Sequence, residues 1–253
     1  MAKETFDGIA SAYYEATPNV PRGYISLLHE TFKIDSKSRV VELGCGSGDV
    51  ALSFAQRTPF VEGVDSSQAM IDMAKRKKGI SPIRWTHMPV QEFDFGHEQY
   101  DLIFSYESFH LFPDKKEIIK KSASGLKKGG VLGVGWAMYA FDYPLKDSIE
   151  EVFAKNDSPW ENWGEWTCPD LPRLVKEANV DLSAPQQRTT LVPARMPTPK
   201  ILEYLFNVSK TASLDEEVKT KISRELTDKV AEIYPSGESV GFDEYSVLYF
   251  VKN

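Results

Sequence analysis

Between residues 39 and 137 short apolar runs alternate with segments of helical periodicity. Arg39 to Leu43 reads as a buried strand that runs into glycines. Asp49 to Gln56 then places Val50, Leu52, Phe54 and Ala55 at helical spacing. Phe60 to Val64 is a second strand, and Ser67 to Lys78 a helix with Met70, Ile71 and Ala74 on one face. Ile83 to Trp85 is a short third strand and Tyr100 to Phe104 a fourth. Pro113 to Leu126 is helical, with Lys127-Lys128-Gly129-Gly130 as its stop signal, and Val131 to Trp136 is a fifth strand. Strands that are apolar throughout and separated by helices belong to a parallel sheet covered on both faces. The predicted class is α/β, a doubly wound and mostly parallel sheet. Ligands bind such sheets beyond the carboxyl ends of the strands, near the point where strand order reverses. That directs attention to residues 44–48, 65–66, 88–91 and 105–110.

The pattern changes after residue 138. Aromatics, prolines and broken helices follow, with Trp160, Trp163 and Trp166 close together. Gln186 to Val192 reads as a strand, and Thr198-Pro199 opens a helix to about Ser209. Ser213-Leu214-Asp215-Glu216 has capping-box spacing and opens a helix to about Ile233. Tyr245 to Val251 supplies the seventh strand. The expected organisation is one domain over 1–253. It comprises a helical arm at 1–38, a ligand-binding core at 39–138, helical lid insertions at 139–185 and 194–240, and a final strand at 241–253.

Charge and composition narrow the partners. The 253 residues carry 30 basic and 37 acidic side chains, a net charge of −7, which disfavours a nucleic-acid partner. The densest basic run, Lys75-Arg76-Lys77-Lys78, falls at a helix end, where cations suit the dipole. The opening residues lack an apolar signal core, and no apolar run approaches the ~20 residues of a spanning helix, so the expected compartment is the cytoplasm with no membrane partner. Cys45 and Cys168 are too few for a disulfide framework or a thiolate zinc site, and no metal is expected.

The chemistry is concentrated in Glu42-Leu43-Gly44-Cys45-Gly46-Ser47-Gly48. Glycines at alternate positions after a strand let the chain turn tightly and approach a ligand with no Cβ in the way. Asp49 stands where a dinucleotide fingerprint needs its third glycine, and no Lys-Ser or Lys-Thr pair follows as a P-loop would require. Asp65 ends the second strand 21 residues after Gly44, where an acid can accept hydrogen bonds from ribose hydroxyls. The plainer reading of Asp65 is a cap on the helix that begins near Ser67. Together the two features suit an adenosine-type ligand without demanding a pyrophosphate.

These residues resemble the class I S-adenosylmethionine-dependent methyltransferases. Val40 to Gly48 is similar to their first motif and Gly63-Val64-Asp65-Ser66-Ser67 to their second. Phe93-Asp94-Phe95 before Tyr100 to Ile103 resembles the adenine segment and fourth strand, and Leu126 to Leu132 the entry to the fifth strand. A narrower resemblance is to the small-molecule methyltransferases related to trans-aconitate methyltransferase. It rests on Phe6 to Tyr13 with Pro18 and Pro21, and on Ser108-Phe109-His110-Leu111-Phe112. Thr17 stands where those relatives have arginine, and Leu111 where they have an aromatic, which leaves the acceptor open.

The resemblance implies a Rossmann-like fold with S-adenosyl-L-methionine as cofactor and a small-molecule acceptor, a carboxylate or a hydroxyl. Gly44, Cys45 and Gly46 would approach the methionine part of the cofactor, with Glu42 near its ammonium. Asp65 would take the ribose, with Ser66 and Met70 on one side of the adenine and Pro89, Val90 and Gln91 on the other. Pro89 replaces an acid, so a backbone carbonyl or Gln91 must serve the adenine amine. Ser105 and Tyr106 would lie near the sulfonium, and Tyr13 would close from the arm. His110 is the candidate base, its alternative a structural histidine. Trp136, Trp160, Trp163, Trp166 and Arg195 are candidates for the acceptor pocket, with packing and surface ion pairs as their ordinary roles. The alternative function is a catalytically silent domain that holds S-adenosylmethionine or S-adenosylhomocysteine as a binding or partner module. Oligomeric state is not legible.

Overall fold

Val40, Val41 and Leu43 are buried although they point to opposite sides of one strand, β1 (Arg39–Leu43). Such a strand must lie inside a sheet covered on both faces. The computed structural model, which describes residues 19–77, 82–138, 143–156, 170–197, 199 and 214–253, has that arrangement. A helix α1 (Arg22–Phe32) precedes β1. There follow α2 (Asp49–Phe54), β2 (Phe60–Asp65), α3 (Gln68–Arg76), β3 (Ile83–His87), β4 (Tyr100–Tyr106), α4 (Lys115–Gly125) and β5 (Leu126–Met138). Two helices, α5 (Tyr143–Lys155) and α6 (Leu171–Ala178), lead to β6 (Gln186–Pro197), and α7 (Glu216–Ile233) leads to β7 (Glu238–Val251).

The seven strands form one sheet in the order β3-β2-β1-β4-β5-β7-β6. Neighbours from β3 to β5 run parallel, and β7 pairs antiparallel with both β5 and β6. Strand order reverses between β1 and β4, so the ends of those two strands mark the crevice where ligands bind in open α/β sheets. Alternation along the strands sorts the core. Val40, Leu102, Phe104, Tyr245 and Val247 pack with Tyr24, Leu28 and Phe54 of α1 and α2. Val41, Leu43, Ile103 and Leu132 face the other way, toward Ile118, Ile119, Leu171 and Val175 of α4 and α6. A third cluster joins Ile149, Val152 and Phe153 of α5 to Ile222, Leu226 and Val230 of α7.

Several boundaries differ from the sequence reading. Lys127 to Gly130 belong to β5 rather than to a helix stop. The helix ends at Gly125, Leu126 at once pairs with Tyr100, and a register irregularity follows between Tyr100 and Leu102. Gly129 takes φ +78 within this stretch. The last two strands are longer than expected. Ala194 to Pro197 and Glu238 to Val240 pair in the β6–β7 ladder, so the second insertion is not helical at its margins. Asp215 caps α7, its carboxylate accepting from the Glu217 amide at 2.8 Å, while Ser213 lies outside the described residues. The expected helix from Thr198 to Ser209 lies outside the described residues apart from Pro199.

Candidate active site

The glycine loop is fixed from below by β2. The amides of Gly44 and Cys45 both donate to the Val64 carbonyl, at 2.8 and 3.0 Å. Gly44, Gly46 and Gly48 adopt φ of +66, +50 and +83, a region L side chains rarely enter. Their surroundings differ. A Cβ on Gly44 would lie 2.4 Å from Ser108 Oγ, and one on Gly48 would lie 2.3 Å from Cη2 of Trp85. Only Gly46, of the three, has nothing within 4 Å of that position. Gly44 and Gly48 are closed to a side chain by packing as well as by φ, whereas at Gly46 only the positive φ disfavours one and the space where it would stand is open.

Asp65, at the end of β2, grips the same loop. Its Oδ2 accepts from the Gly46 amide at 2.8 Å, and its Oδ1 accepts from the Ser67 amide at 2.9 Å. The ligand-binding reading and the capping reading of Asp65 are thus compatible. Each carboxylate oxygen accepts from one backbone amide, and a carboxylate oxygen can accept more than one hydrogen bond. On the loop's far side Lys77 Nζ bridges Ser47 Oγ at 3.1 Å and Asp49 Oδ1 at 2.7 Å.

Below the loop, Glu42 is 2% exposed and its Oε2 lacks a hydrogen-bond partner. Burial, opposed by the Ala51 amide, pushes its carboxyl well above the usual range. Burial, assisted by Asp65 and Glu42, likewise pushes the Cys45 thiol up, so Cys45 is a packed residue beside the loop.

The segment expected against an adenine ring is assembled as a unit. Ser67 caps α3 by accepting from the Met70 amide at 3.2 Å, and the Met70 side chain is buried. The Ser66 carbonyl lies 3.0 Å from His87 Nε2. Met88 donates to the Asp65 carbonyl at 2.8 Å, bringing Pro89 and the short turn Val90–Glu92 beside β2. Val90 is buried and Gln91 exposed. The Pro89 carbonyl already accepts from the Glu92 amide at 3.0 Å, and the Gln91 carbonyl from Lys121 Nζ at 2.7 Å.

At the end of β4 two serines join the strands. Ser105 is buried, and its hydroxyl meets Ser108 Oγ at 2.8 Å, which in turn donates to the Leu43 carbonyl at 3.0 Å. These two hydroxyls tie the ends of β1 and β4 together. Ser108 therefore joins the site as a residue the sequence reading had not singled out. His110 lies in the turn Phe109–Leu111 between buried Phe109 and half-buried Leu111. Trp136 packs against the core cluster of α4 and α6. Tyr13, Trp160, Trp163 and Trp166 lie outside the described residues, and so does the Arg195 side chain, although Arg195 pairs with Val240 in β6. Arg188 faces α1, with Nη1 3.2 Å from Thr31 Oγ1 and Nη2 3.7 Å from Glu30.

Four further residues gather on the α1 face of the same crevice. Tyr24 is fully buried, its hydroxyl donates to the Ser246 carbonyl at 3.2 Å, and its ring lies 5.3 Å from those of Tyr106 and Tyr245. A Cβ on Gly135 would fall 2.0 Å from the Tyr24 hydroxyl, so Gly135 is where this tyrosine crosses β5. Glu107 follows β4 in a left-handed conformation, φ +51. Its amide donates to the Gly135 carbonyl at 3.0 Å, and its Oε1 accepts from the Ala137 amide. Burial raises its carboxyl to about 7. Asp243 of β7 is buried, which raises it to about 6. Sequence patterning offered one signal for Glu107, its place within the 105–110 window beyond the fourth strand. Tyr24, Asp243 and Tyr245 carried none.

The described residues fit an adenosyl cofactor on three observations. Gly46 is open where a Cβ would stand, the Asp65 carboxylate is held at the same loop by the Gly46 amide, and Glu42 holds an unpartnered buried oxygen under the loop. Among the described residues no group of three potential metal ligands occurs, and no helix is long and apolar enough to cross a membrane.

Comparison with known proteins converges on the same segment. Residues 40–130 match the family model described as a methyltransferase domain. The trans-aconitate 2-methyltransferase of Rhodococcus jostii is 28% identical over 149 residues, 55% of this chain and 52% of that protein. This chain spans about half the length of the curated relatives it matches. Among solved structures, the YcgJ protein of Bacillus subtilis aligns with TM-score 0.59 at 18% identity, over 92% of this chain and 99% of that one. A Haemonchus contortus phosphoethanolamine N-methyltransferase 2, solved with phosphomonomethylethanolamine and S-adenosylhomocysteine, aligns with TM-score 0.56 at 16% identity, over 97% and 57%. At such identities the structural matches speak to the fold.

Proposed function

We propose, from the premise that residues 40–130 form a class I S-adenosylmethionine-dependent methyltransferase domain, that the protein transfers a methyl group to a small-molecule acceptor. The observation that carries this reading is Gly46, open where a Cβ would stand while its amide is held by the Asp65 carboxylate. When bound, S-adenosylmethionine supplies a methyl group already activated on a sulfonium. The chain's remaining task is to align a nucleophile and exclude water, and alignment alone can contribute ~7–11 kcal/mol.

Each described residue has a part in that task. Asp65 fixes Gly46 and offers acceptors to ribose hydroxyls. Glu42, with a free buried oxygen, suits the cofactor's ammonium. Met70 and Val90 are the apolar sides of an adenine slot, and Gln91 is the side chain that can reach the adenine amine in place of the acid that Pro89 lacks. Ser105 and Ser108 hold the ends of β1 and β4 at fixed separation, which keeps the cradle and the acceptor side in register. Tyr13, the three tryptophans and Arg195 remain proposals for the cover of the site.

Isothermal titration with S-adenosylhomocysteine tests the reading. The wild-type protein should bind it. Asp65→Ala strands the Gly46 and Ser67 amides, at about 1–3 kcal/mol each if they stay buried, and should weaken binding about 100-fold. Gly46→Val should abolish binding while the protein stays folded by circular dichroism. Unchanged affinity in both variants overturns the site.

A further inference from the structure

We propose that Glu107 is the general base of the acceptor site, and that the acceptor presents its nucleophile as an N–H or O–H group and not as a carboxylate. The proposal rests on the methyl-transfer reading above and assigns the acceptor class and the proton's destination.

Position carries the argument. Glu107 is the first residue beyond β4, on the strand whose reversal of order with β1 creates the crevice. A non-glycine residue at φ +51 is strained, and two contacts with β5 fix it at both ends. Its amide is bonded to Gly135 and its Oε1 to the Ala137 amide, while the residue as a whole stays partly exposed. One carboxylate oxygen thus anchors the side chain and the other is left for a ligand. The titratable groups that feel its charge are Tyr24 of α1 and Tyr245 of β7, whose rings lie 5.3 Å apart; behind them Glu42 acts on Tyr24 and Asp243 on Tyr245. All are acids or phenols. Arg188 of β6 is engaged by Glu30 and Thr31 of α1.

A carboxylate acceptor would meet this surface as a like charge and would need no base. An amine or hydroxyl meets a hydrogen-bond acceptor and a proton acceptor. In the step, the acceptor's N–H or O–H bond breaks and its proton passes to Glu107. The nitrogen or oxygen bonds the methyl carbon, and the carbon–sulfur bond breaks with its electron pair remaining on sulfur. Atoms and charge balance with S-adenosylhomocysteine, the methylated acceptor and protonated Glu107 as products. Burial keeps the Glu107 carboxyl near 7, which matches a base for neutral conditions. The carboxylate is the active form, so turnover should rise with pH through about 7.

The test uses protein labelled with carbon-13 at the glutamate carboxyl, saturated with S-adenosylhomocysteine, with Glu107→Gln assigning the resonance. Ethanolamine, phenol and trans-aconitate are the probes. Ethanolamine or phenol should move the Glu107 resonance or its titration midpoint, and trans-aconitate should not. In parallel, transfer from tritiated S-adenosylmethionine should favour the same protic probes. Glu107→Gln should lower kcat about 10²–10³-fold and erase the rise near pH 7, with S-adenosylhomocysteine affinity unchanged within twofold. A resonance that ignores all three probes overturns the proposal, as does trans-aconitate methylation at pH 8 that survives Glu107→Gln. Absence of S-adenosylhomocysteine binding in the wild type would instead defeat the methyl-transfer reading itself.

Discussion

The two sides of the crevice are built by opposite means. On the cradle side, β1, the glycine loop, β2 and the turn at Val90–Glu92 lie within fifty-odd residues, and backbone amides do most of the binding work: Gly44, Cys45, Gly46, Ser67 and Met88 all donate to Val64 or Asp65. On the other side, Tyr24, Glu107, Ala137 and Tyr245 come from four separate stretches, joined by packed rings and by the Glu107 carboxylate on the Ala137 amide. The first arrangement is a fixed receptacle for one ligand. The second is assembled from buried side chains of separate elements, so a change in any one of them is felt by the strands it packs on.

Substitutions at Gly48, Ser108 and Lys77 probe that division. Gly48→Val attacks the cradle where it is packed by protein. Strain at φ +83 and a clash with Trp85 should together cost about 3–5 kcal/mol, read as a lowered midpoint in urea denaturation, with cofactor affinity lost as a consequence. A well-folded, fully binding Gly48→Val protein would break the claim that the loop is rigid. Ser108→Ala cuts the link between the two sides. It should cost about 1 kcal/mol of stability and lower kcat more than cofactor affinity. Equal losses in both would place Ser108 wholly on the cradle. Lys77→Met removes a partly exposed bridge to Asp49 and should change stability by less than about 1 kcal/mol, with the effect vanishing in 1 M salt. A larger loss would show that the loop leans on its outer edge.

The cradle side was legible in the sequence because its information is local. β1 was placed at its observed bounds, and Gly44 to Gly48 and Asp65 fall where strand ends require them. Even so, spacing alone gave all three glycines one meaning, whereas packing separates Gly46 from its neighbours. The acceptor side was not legible, because the Tyr24 to Ser246 contact spans 222 residues and no periodicity records it. Ser105 falls at the end of β4 as the spacing placed it, and the tie of its hydroxyl to Ser108 is a contact that spacing does not record. The start of β5 was misplaced for a different reason. Gly129-Gly130 has the composition of a helix stop, but a Cβ on Gly130 would crowd the carbonyls of Lys127 and Tyr100 at 2.9 Å, so strand packing accounts for the glycine there.

The direction of β7 has one more consequence. Because it runs against β5, pairing Tyr245 with Ala137 and Val251 with Val131, the chain between β6 and β7 departs and returns at the rim of the crevice. That stretch, with α7 in it, leaves and rejoins the sheet at the paired residues Pro197 and Glu238, beyond the last β5 pair of Met138 with Glu244 and on the same side as the strand end that carries Glu107. Lengthening or exchanging it would re-cut the mouth of the site while every ladder in the sheet kept its register, which makes the interval from 198 to 237 the natural place to graft a new substrate preference.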